Sequence, residues 1–366
     1  MNDDEALRAT LRALLLFDIA EEIDLNQLSA ILGKIPAKRE PSFVHVTPEY
    51  VRYERTPVID QIAPLHAGSG EQLSCRIRYF DYGVASVELQ FRIEGTWPDL
   101  IRLANRWIES PELEARAKEA LRDHLRRTWP AARRFYDDWV SEEYYIVQLD
   151  PVQTKSGLIT AEQLLKEHGT YVAQLVRGEE LALSAVERQE VLHGSMSYYP
   201  TDLLVVGWVA AFVYDTSAGA AATVDLLEYA NTQLLEFRYY DEVLTRVLAQ
   251  VYKQLERKRG MWRRWQLAGQ AQRLNSIRLE IRELSERTDN AIKFLSDMFY
   301  ARAYRLAAAR IGVEDYHNLV KEKLTTAEDL YDSMVNEFHQ SRAFVLELLV
   351  VIILVIELAF LFRGIK

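Results

Sequence analysis

The sequence predicts an α+β protein: an antiparallel sheet with covering helices, then a long coiled-coil-like helical stalk, then one C-terminal transmembrane helix. Three observations predict this order. Apolar and polar residues alternate with the period of a β-strand between Leu73 and Ile93. After Gly219 the apolar residues recur at the spacing of packed helices, and the chain ends in a strongly apolar segment. The predicted domains are a head (1–218), a stalk (219–341) and a membrane anchor (342–366).

The first elements of the head have recognisable local signals. Residues 13–19 are apolar enough for a strand, and a helix is expected to open at Asp24, a residue type that caps helix N-termini. Residues 43–59 are rich in valine and tyrosine and predict extended chain. Two alternating runs, 73–79 and 85–93, flank the turn-like Asp81-Tyr82-Gly83, which predicts an antiparallel hairpin with one buried face.

The rest of the head mixes helices and strands without regular alternation. Residues 97–140 and 160–192 have mainly helical patterns, 144–149 return to strand, and 202–214 are apolar enough for a central strand. This order favours helices packed over a mostly antiparallel sheet and disfavours a doubly wound fold.

The stalk is predicted from apolar positions that recur every three or four residues. They form a first seam (Leu227 to Val251), a second seam (Leu274 to Met298) and a third helix that leads from Glu314 into the terminal segment. Asp241 lies on the first seam. An acid there needs a partner, for which Arg238 and Arg246 are candidates, and we interpret it as a residue that fixes the helix register.

The terminal segment, 343–362, predicts a membrane span, because eighteen of its twenty residues are apolar. About 20 helical residues match the ~30 Å hydrocarbon core of a bilayer. Since the N-terminus has neither signal-peptide nor transit-peptide character, a tail anchor with a cytoplasmic body is the simplest topology. The alternative interpretation is a buried helix, since the longest run without a charge is nine residues.

Glu347 and Glu357 interrupt this segment at an interval of ten residues. Carboxylates in a membrane usually face a partner helix or a polar cavity, so the two glutamates are candidates for contacts between protomers. The competing interpretations are that each carboxylate reaches the interface or is protonated, or that it takes part in proton transport.

Composition excludes several classes of function. The formal charge of −10 argues against general affinity for nucleic acid, and Cys75 as the only cysteine excludes disulfide scaffolds and multi-cysteine metal sites. The seven histidines are scattered singly, and the sequence has neither a glycine-rich phosphate loop nor a nucleophile elbow. The sequence therefore predicts no cofactor, no metal and no catalytic residue.

One basic segment, 253–273, departs from the acidic background and contains two tryptophans. It is a candidate contact for anionic headgroups, another protein or structured RNA, and the alternative is a solvated helical turn. The residues that would make such a contact are Arg257, Lys258, Arg259, Trp262, Arg263, Arg264 and Trp265.

The segment from Leu346 to Glu357, a leucine-glutamate pair, an apolar run and a second glutamate, resembles the ending of the required-for-meiotic-nuclear-division protein family. Residues 318–324 and 328–334 resemble the helix before that ending, and 78–87 are similar to a hairpin of the family. The resemblance is strongest over 315–360. Here Leu348 stands where the family has tryptophan, and 100–200 are longer than the family would suggest.

The resemblance implies no known catalytic residues and a terminal membrane span. Mitochondrial members of that family are inner-membrane oligomers that support organellar translation. The implied location is a bacterial plasma membrane, with the mitochondrial inner membrane as the alternative. The leading hypothesis is a non-enzymatic, membrane-anchored homo-oligomer that presents its head to a cytoplasmic protein partner. The second is a factor that tethers RNA or the ribosome through 253–273, and the third is an enzyme.

Overall fold

The computed structural model describes residues 6–34, 56–67, 70–108, 110–154, 157–256, 274–286, 298–330, 332 and 350–355. The chain forms two compact units. The first comprises Met1–Tyr239 and Glu286–Tyr316, and the second comprises Tyr240–Ser285 and His317–Lys366.

The first unit is built on a mixed α and β architecture with an eight-stranded sheet in the order β10-β11-β12-β7-β1-β5-β4-β3. Every neighbouring pair is antiparallel except β12 and β7, which are parallel. Small two-stranded sheets pair β2 with β6 and β8 with β9. The strands are β1 (Leu7–Asp18), β2 (Ala20–Ile23), β3 (Val58–His66), β4 (Gln72–Tyr79), β5 (Val84–Gly95), β6 (Ala132–Phe135), β7 (Ser141–Leu149), β8 (Gln153–Thr154), β9 (Gly157–Leu158), β10 (Ser195–Met196), β11 (Leu203–Val206) and β12 (Ala210–Tyr214).

Ten described helical segments accompany these strands. They are α1 (Leu25–Ile31), α2 (Trp97–Ile108), α3 (Pro111–Thr128), α4 (Ala161–Arg177), α5 (Ala185–His193), α6 (Ser217–Glu256), α7 (274–286), α8 (Met298–Ile311), α9 (313–330) and α10 (350–355). The helix expected at Asp24 is confirmed as α1, whose first amides, those of Asn26 and Gln27, donate to the Asp24 carboxylate.

The predicted hairpin is confirmed as β4 and β5. Its turn contains Gly83, which has a φ of +92°. A Cβ atom at this position would lie 1.7 Å from the Ala20 carbonyl oxygen. Only glycine satisfies both the left-handed backbone and this close approach.

The two faces of the sheet have different chemistry because side chains alternate along each strand. One set on β1 (Leu7, Ala9, Leu11, Ala13, Leu15 and Phe17) belongs to the main hydrophobic core, together with apolar residues of α2, α3 and α4. The opposite set includes Arg12 and Asp18. This second face carries the charges described below, and the first part of α6 lies over it.

Two local expectations are corrected by the structure. The apolar segment 202–214 is two strands, β11 and β12, because the chain turns at Gly207, where a Cβ atom would lie 2.5 Å from a Val176 methyl group. The helical pattern predicted up to residue 140 ends at Thr128, where a short 3-10 turn, Trp129–Ala131, contains Pro130 and leads into β6.

The predicted transmembrane helix, 343–362, is wrong. The structure describes only 350–355 of it, as α10, and the remainder lies outside the described residues. Among the described residues, no helix combines the length and the apolar character needed to cross a membrane. The predicted tail anchor and the single-pass location in a plasma or inner membrane are therefore wrong as well.

The N-terminus of α4 allows a first test of the fold. Thr160 forms a capping box: its hydroxyl accepts from the Gln163 amide, and the Gln163 side chain accepts from the Thr160 amide. Replacing Thr160 by alanine is expected to lower the free energy of unfolding by about 1 kcal/mol, because an amide of the first turn loses its acceptor. Urea unfolding followed by circular dichroism measures this loss. Thr160→Ser is the matched control and should retain most of the stability.

Candidate functional site

Most of the residues predicted to make contacts lie outside the described residues. These are Glu347, Glu357, Arg257, Lys258, Arg259, Trp262, Arg263, Arg264 and Trp265. Their roles in oligomer or RNA contact stay predictions.

Asp241 is described, and its partner differs from both candidates. Its Oδ1 accepts from Lys323 Nζ at 2.5 Å, and the same ammonium donates to Thr245 Oγ1 at 2.7 Å. Arg238 instead pairs with Glu142 of β7. The Asp241–Lys323 pair joins α6 to α9 within the second unit, and the role of Asp241 in register stays a prediction.

The second unit contains helices with buried seams. On α7, one residue per turn is almost fully buried (Leu274, Ile277, Ile281 and Leu284), and on α9 Val320 and Ala327 are 0% and 1% exposed. The ion pair between Arg278 and Glu328 connects the two helices at 3.5 Å. The seam residues predicted on α7 are therefore covered within the chain, whereas Met298, the predicted end of the second seam, is 75% exposed.

The α10 helix has the opposite property. All six of its residues are Val, Ile or Leu, and each is between 47% and 60% exposed. Successive helical residues are 100° apart, so six of them cover the whole circumference. A helix that is apolar all round is normally buried all round. We define α10 as the candidate interaction site because it exposes continuous apolar surface on every side.

A different cluster, the ionic layer, lies between the sheet and α6. Glu88 of β5 accepts from Arg12 Nη1 at 2.6 Å and also pairs with Arg76, while Arg12 Nη2 donates to Gln148 at 3.1 Å. The Glu88 side chain is only 2% exposed. Two guanidinium groups thus compensate a carboxylate that is removed from water.

Arg78 of β4 connects the ionic layer to α6. Its Nη2 pairs with Asp225 at 2.7 Å and its Nη1 with Glu228 at 2.7 Å, one turn apart on the helix. Arg78 is 3% exposed and Glu228 is 1% exposed. Burial raises the pKa of Glu228, and the Arg78 guanidinium opposes that rise. Arg78 is therefore a positioning residue that holds α6 on the sheet.

Asp18 at the end of β1 is a buried acid of another kind. It is 2% exposed, and no described group donates a hydrogen bond to its Oδ2. Burial raises the pKa of this carboxyl well above its usual range. Its negative charge contributes to the raised pKa of the nearby Tyr136, for which burial is the main cause. Such perturbed groups occur often at functional sites, but they also occur in structural clusters.

A hydrogen-bonded chain connects β3, α3 and β4 on the core face. Asp60 Oδ2 lies 2.7 Å from His124 Nε2, and His124 Nδ1 lies 2.7 Å from the Tyr79 hydroxyl. Burial lowers the pKa of His124, although Asp60 opposes this. Burial would raise the pKa of Asp60, but hydrogen bonds from Lys34 and His124 bring it below its usual value. Tyr79 and His124 are at most 4% exposed, and the hydrogen-bonded chain fastens the edge strand β3 to α3 and β4.

The charged side chains of these clusters form ion pairs, or burial favours their protonated form. Within the described part of the chain, no group of three or more His, Cys, Asp or Glu residues could hold a metal ion. The ionic layer was not predicted from the sequence. One feature of the sequence could have indicated it. Arg76 and Arg78 alternate with apolar residues on β4, and the hairpin places Arg76 directly opposite Glu88 of β5.

Comparison with known proteins places the first unit in a family. The model of the family described as the N-terminal domain of the uncharacterized protein MJ0711 matches residues 8–221, from β1 into the start of α6. The uncharacterized protein MJ0711 of Methanocaldococcus jannaschii is 19% identical over 197 residues, which is 54% of this chain. The aligned part covers 60% of that relative's length. No solved structure is significantly similar to the chain. Since the matched residues make up more than half of the 366, the chain belongs to the MJ0711 N-terminal domain family.

Proposed function

We propose that the protein is a non-catalytic, self-associating scaffold that assembles through α10 and uses its first unit to bind a protein partner. The observation that carries the proposal is the exposure of every side of α10. Fully burying one Val, Leu or Ile side chain contributes about 1.5–3 kcal/mol. Each half-exposed residue would contribute about half of that when it becomes buried. Burial of the α10 helices of several chains against one another therefore favours association substantially.

A second copy of the chain is the partner that fits α10 best. Each copy presents the same apolar turn and a half, and most oligomers of soluble proteins are symmetric assemblies of identical chains. Helices that are apolar on several sides favour bundles of more than two chains, because one neighbour covers one side only. The resemblance of 315–360 to a family with oligomeric members supports the same proposal.

The first unit has exposed aromatic side chains that suit a protein partner. Trp208 is 53% exposed, and Tyr198 and Tyr199 are 54% and 49% exposed. Tyr198 contacts the Phe299 ring edge-on, with centroids 5.0 Å apart. Tryptophan and tyrosine are enriched at the residues that dominate binding energy in protein interfaces.

Two double variants test the proposed assembly. Val350→Glu with Leu354→Glu changes one side of α10, and Val351→Glu with Val355→Glu changes a side about 100° away. We expect the wild type to be a multimer by size-exclusion chromatography with light scattering, and both variants to have the mass of one chain. Both should fail to assemble because a bundle of several chains buries both sides.

The matched control carries the same two added charges elsewhere in the second unit. Leu279 is 57% exposed on α7 and Leu319 is 39% exposed on α9, so Leu279→Glu with Leu319→Glu should leave the multimer intact. If the wild type has the mass of one chain throughout the micromolar range, or if the control dissociates as readily as the α10 variants, the scaffold proposal is wrong.

A further inference from the structure

A groove of about 580 Å³ separates α4 from α5 in the first unit. Its walls are formed by α4 between Leu165 and Thr170 and by α5 between Ala185 and His193. Gly169 allows the helices to approach at the floor, since a Cβ atom there would lie 3.0 Å from a Leu192 methyl group. The volume lies in the range of small-molecule sites.

Basic and hydrogen-donating groups line this groove. Lys166, Arg188 and His193 have no carboxylate partner among the residues the structure describes. Arg188 Nη1 donates to Thr170 Oγ1 at 3.0 Å, which directs the guanidinium across the groove towards α4. Glu167 is the one acid in the lining. The groove therefore has a positive balance in a chain whose net charge is −10.

Neighbouring acids do not neutralise the groove because other arginines engage them. Glu187 of α5 pairs with Arg177 at 3.5 Å, and Glu190 of α5 pairs with Arg310 at 2.9 Å. On the sheet, by contrast, Arg12, Arg76 and Arg78 each pair with a carboxylate. In the α4–α5 groove, Lys166, Arg188 and His193 thus converge with Glu167 as the one acid among the lining residues.

The α5 wall has little fully buried surface. None of its nine residues is buried, and it lies between Gly178, with a φ of +73°, and Gly194. A helix with few buried contacts opens and shifts at low energetic cost. Closure of α5 towards α4 would bring Arg188 and His193 nearer to Lys166 across a bound anion.

We propose that the α4–α5 groove binds a small phosphorylated molecule. A phosphate monoester is close to a dianion at neutral pH, and Arg, Lys and neutral donors such as Thr and Gln are the groups that bind phosphate oxygens. The volume exceeds that of inorganic phosphate, so Leu165, Ala185 and Leu192 would contact the organic part. This site is independent of the scaffold assembly, since none of its residues belongs to α10.

Titration calorimetry of the full chain with inorganic phosphate and with pyrophosphate tests the site. We expect heat of binding for both, and none for acetate or chloride at the same ionic strength. Lys166→Ala with Arg188→Ala should weaken phosphate binding at least about tenfold, because each charge-assisted hydrogen bond contributes roughly that factor. Hydrogen exchange of 179–194 should slow when phosphate is present.

The control variant removes two positive charges from α8 and leaves the groove unchanged. Arg302 and Arg305 are exposed there, so Arg302→Ala with Arg305→Ala should bind phosphate as the wild type does. The proposal is overturned if the wild type gives no heat, or if the groove variant binds as tightly as the α8 control. The α10 variants should still bind phosphate, so a failure of the scaffold proposal would be distinguishable from a failure of this one.

Discussion

Replacing Arg78 by methionine is expected to lower the free energy of unfolding by about 3–5 kcal/mol, a loss typical of breaking a buried ion pair on one side. Methionine keeps the unbranched apolar stem, so the change removes mainly the guanidinium. The variant leaves Glu228 at 1% exposure without its charge partner. Asp225 loses the same partner but is 37% exposed and can be hydrated.

A second change in the same cluster should restore part of this loss. Glu228→Gln in the Arg78→Met background removes the uncompensated charge, so the double variant is expected to be more stable than Arg78→Met alone. Urea unfolding of the wild type, the two single variants and the double variant gives the coupling energy directly. A double variant as unstable as the sum of its parts would contradict the assigned pairing.

The control is an arginine whose ion pair is exposed. Arg8 pairs with Glu94 at 2.8 Å across β1 and β5, and the two side chains are 75% and 69% exposed. Arg8→Met should change the unfolding free energy by no more than about 1 kcal/mol, because water solvates both charges. If Arg8→Met and Arg78→Met lowered the free energy of unfolding by similar amounts, burial of the ion pair would not determine the size of the loss.

Signals carried by neighbouring residues predicted the local structure well. The Asp24 cap and the alternation through β4 and β5 were read from a few adjacent residues. The ionic layer was missed because its partners are distant in sequence: Arg78 and Asp225 are 147 residues apart. Alternation shows that Arg78 faces away from the core, but it does not show which helix lies on that face.

The terminal segment illustrates the opposite error, in which composition was given too much weight. An apolar helix surrounded by lipid and one surrounded by other helices have similar residues, so length has to decide between them. Glu347 and Glu357 confine the charge-free run to nine residues. The described part, 350–355, is exposed on all sides, and the α10 variants test whether it packs against other chains.

The second large effect is a gain in stability. Asp18→Asn is expected to raise the free energy of unfolding at neutral pH. The asparagine amide has nearly the same size as the carboxyl group but carries no ionisable proton, and burial disfavours ionisation at this position. Asp18 is 2% exposed and its Oδ2 receives no hydrogen bond from a described group. A neutral amide at this position neither buries a charge nor has to retain a proton.

The pH dependence of this gain follows from the direction of the pKa shift. Burial raises the pKa of folded Asp18 above the ordinary value of 3.8, so the folded chain keeps a proton that the unfolded chain releases. The contribution of Asp18 to stability is therefore largest below the unfolded pKa. It falls as the pH rises towards the folded pKa, at up to about 1.4 kcal/mol per pH unit. The side-chain amide of the variant does not titrate, so the advantage of Asp18→Asn should grow over that interval and then stay constant.

Urea unfolding of wild type and Asp18→Asn between about pH 4 and pH 8 measures this difference. Asp137→Asn, at an exposed site, should show no comparable growth with pH. A variant less stable than the wild type at every pH would contradict the expected gain. A rising difference would instead show that Asp18 is protonated at a pH where exposed carboxylates have lost their protons, because only a retained proton gives stability this dependence on pH.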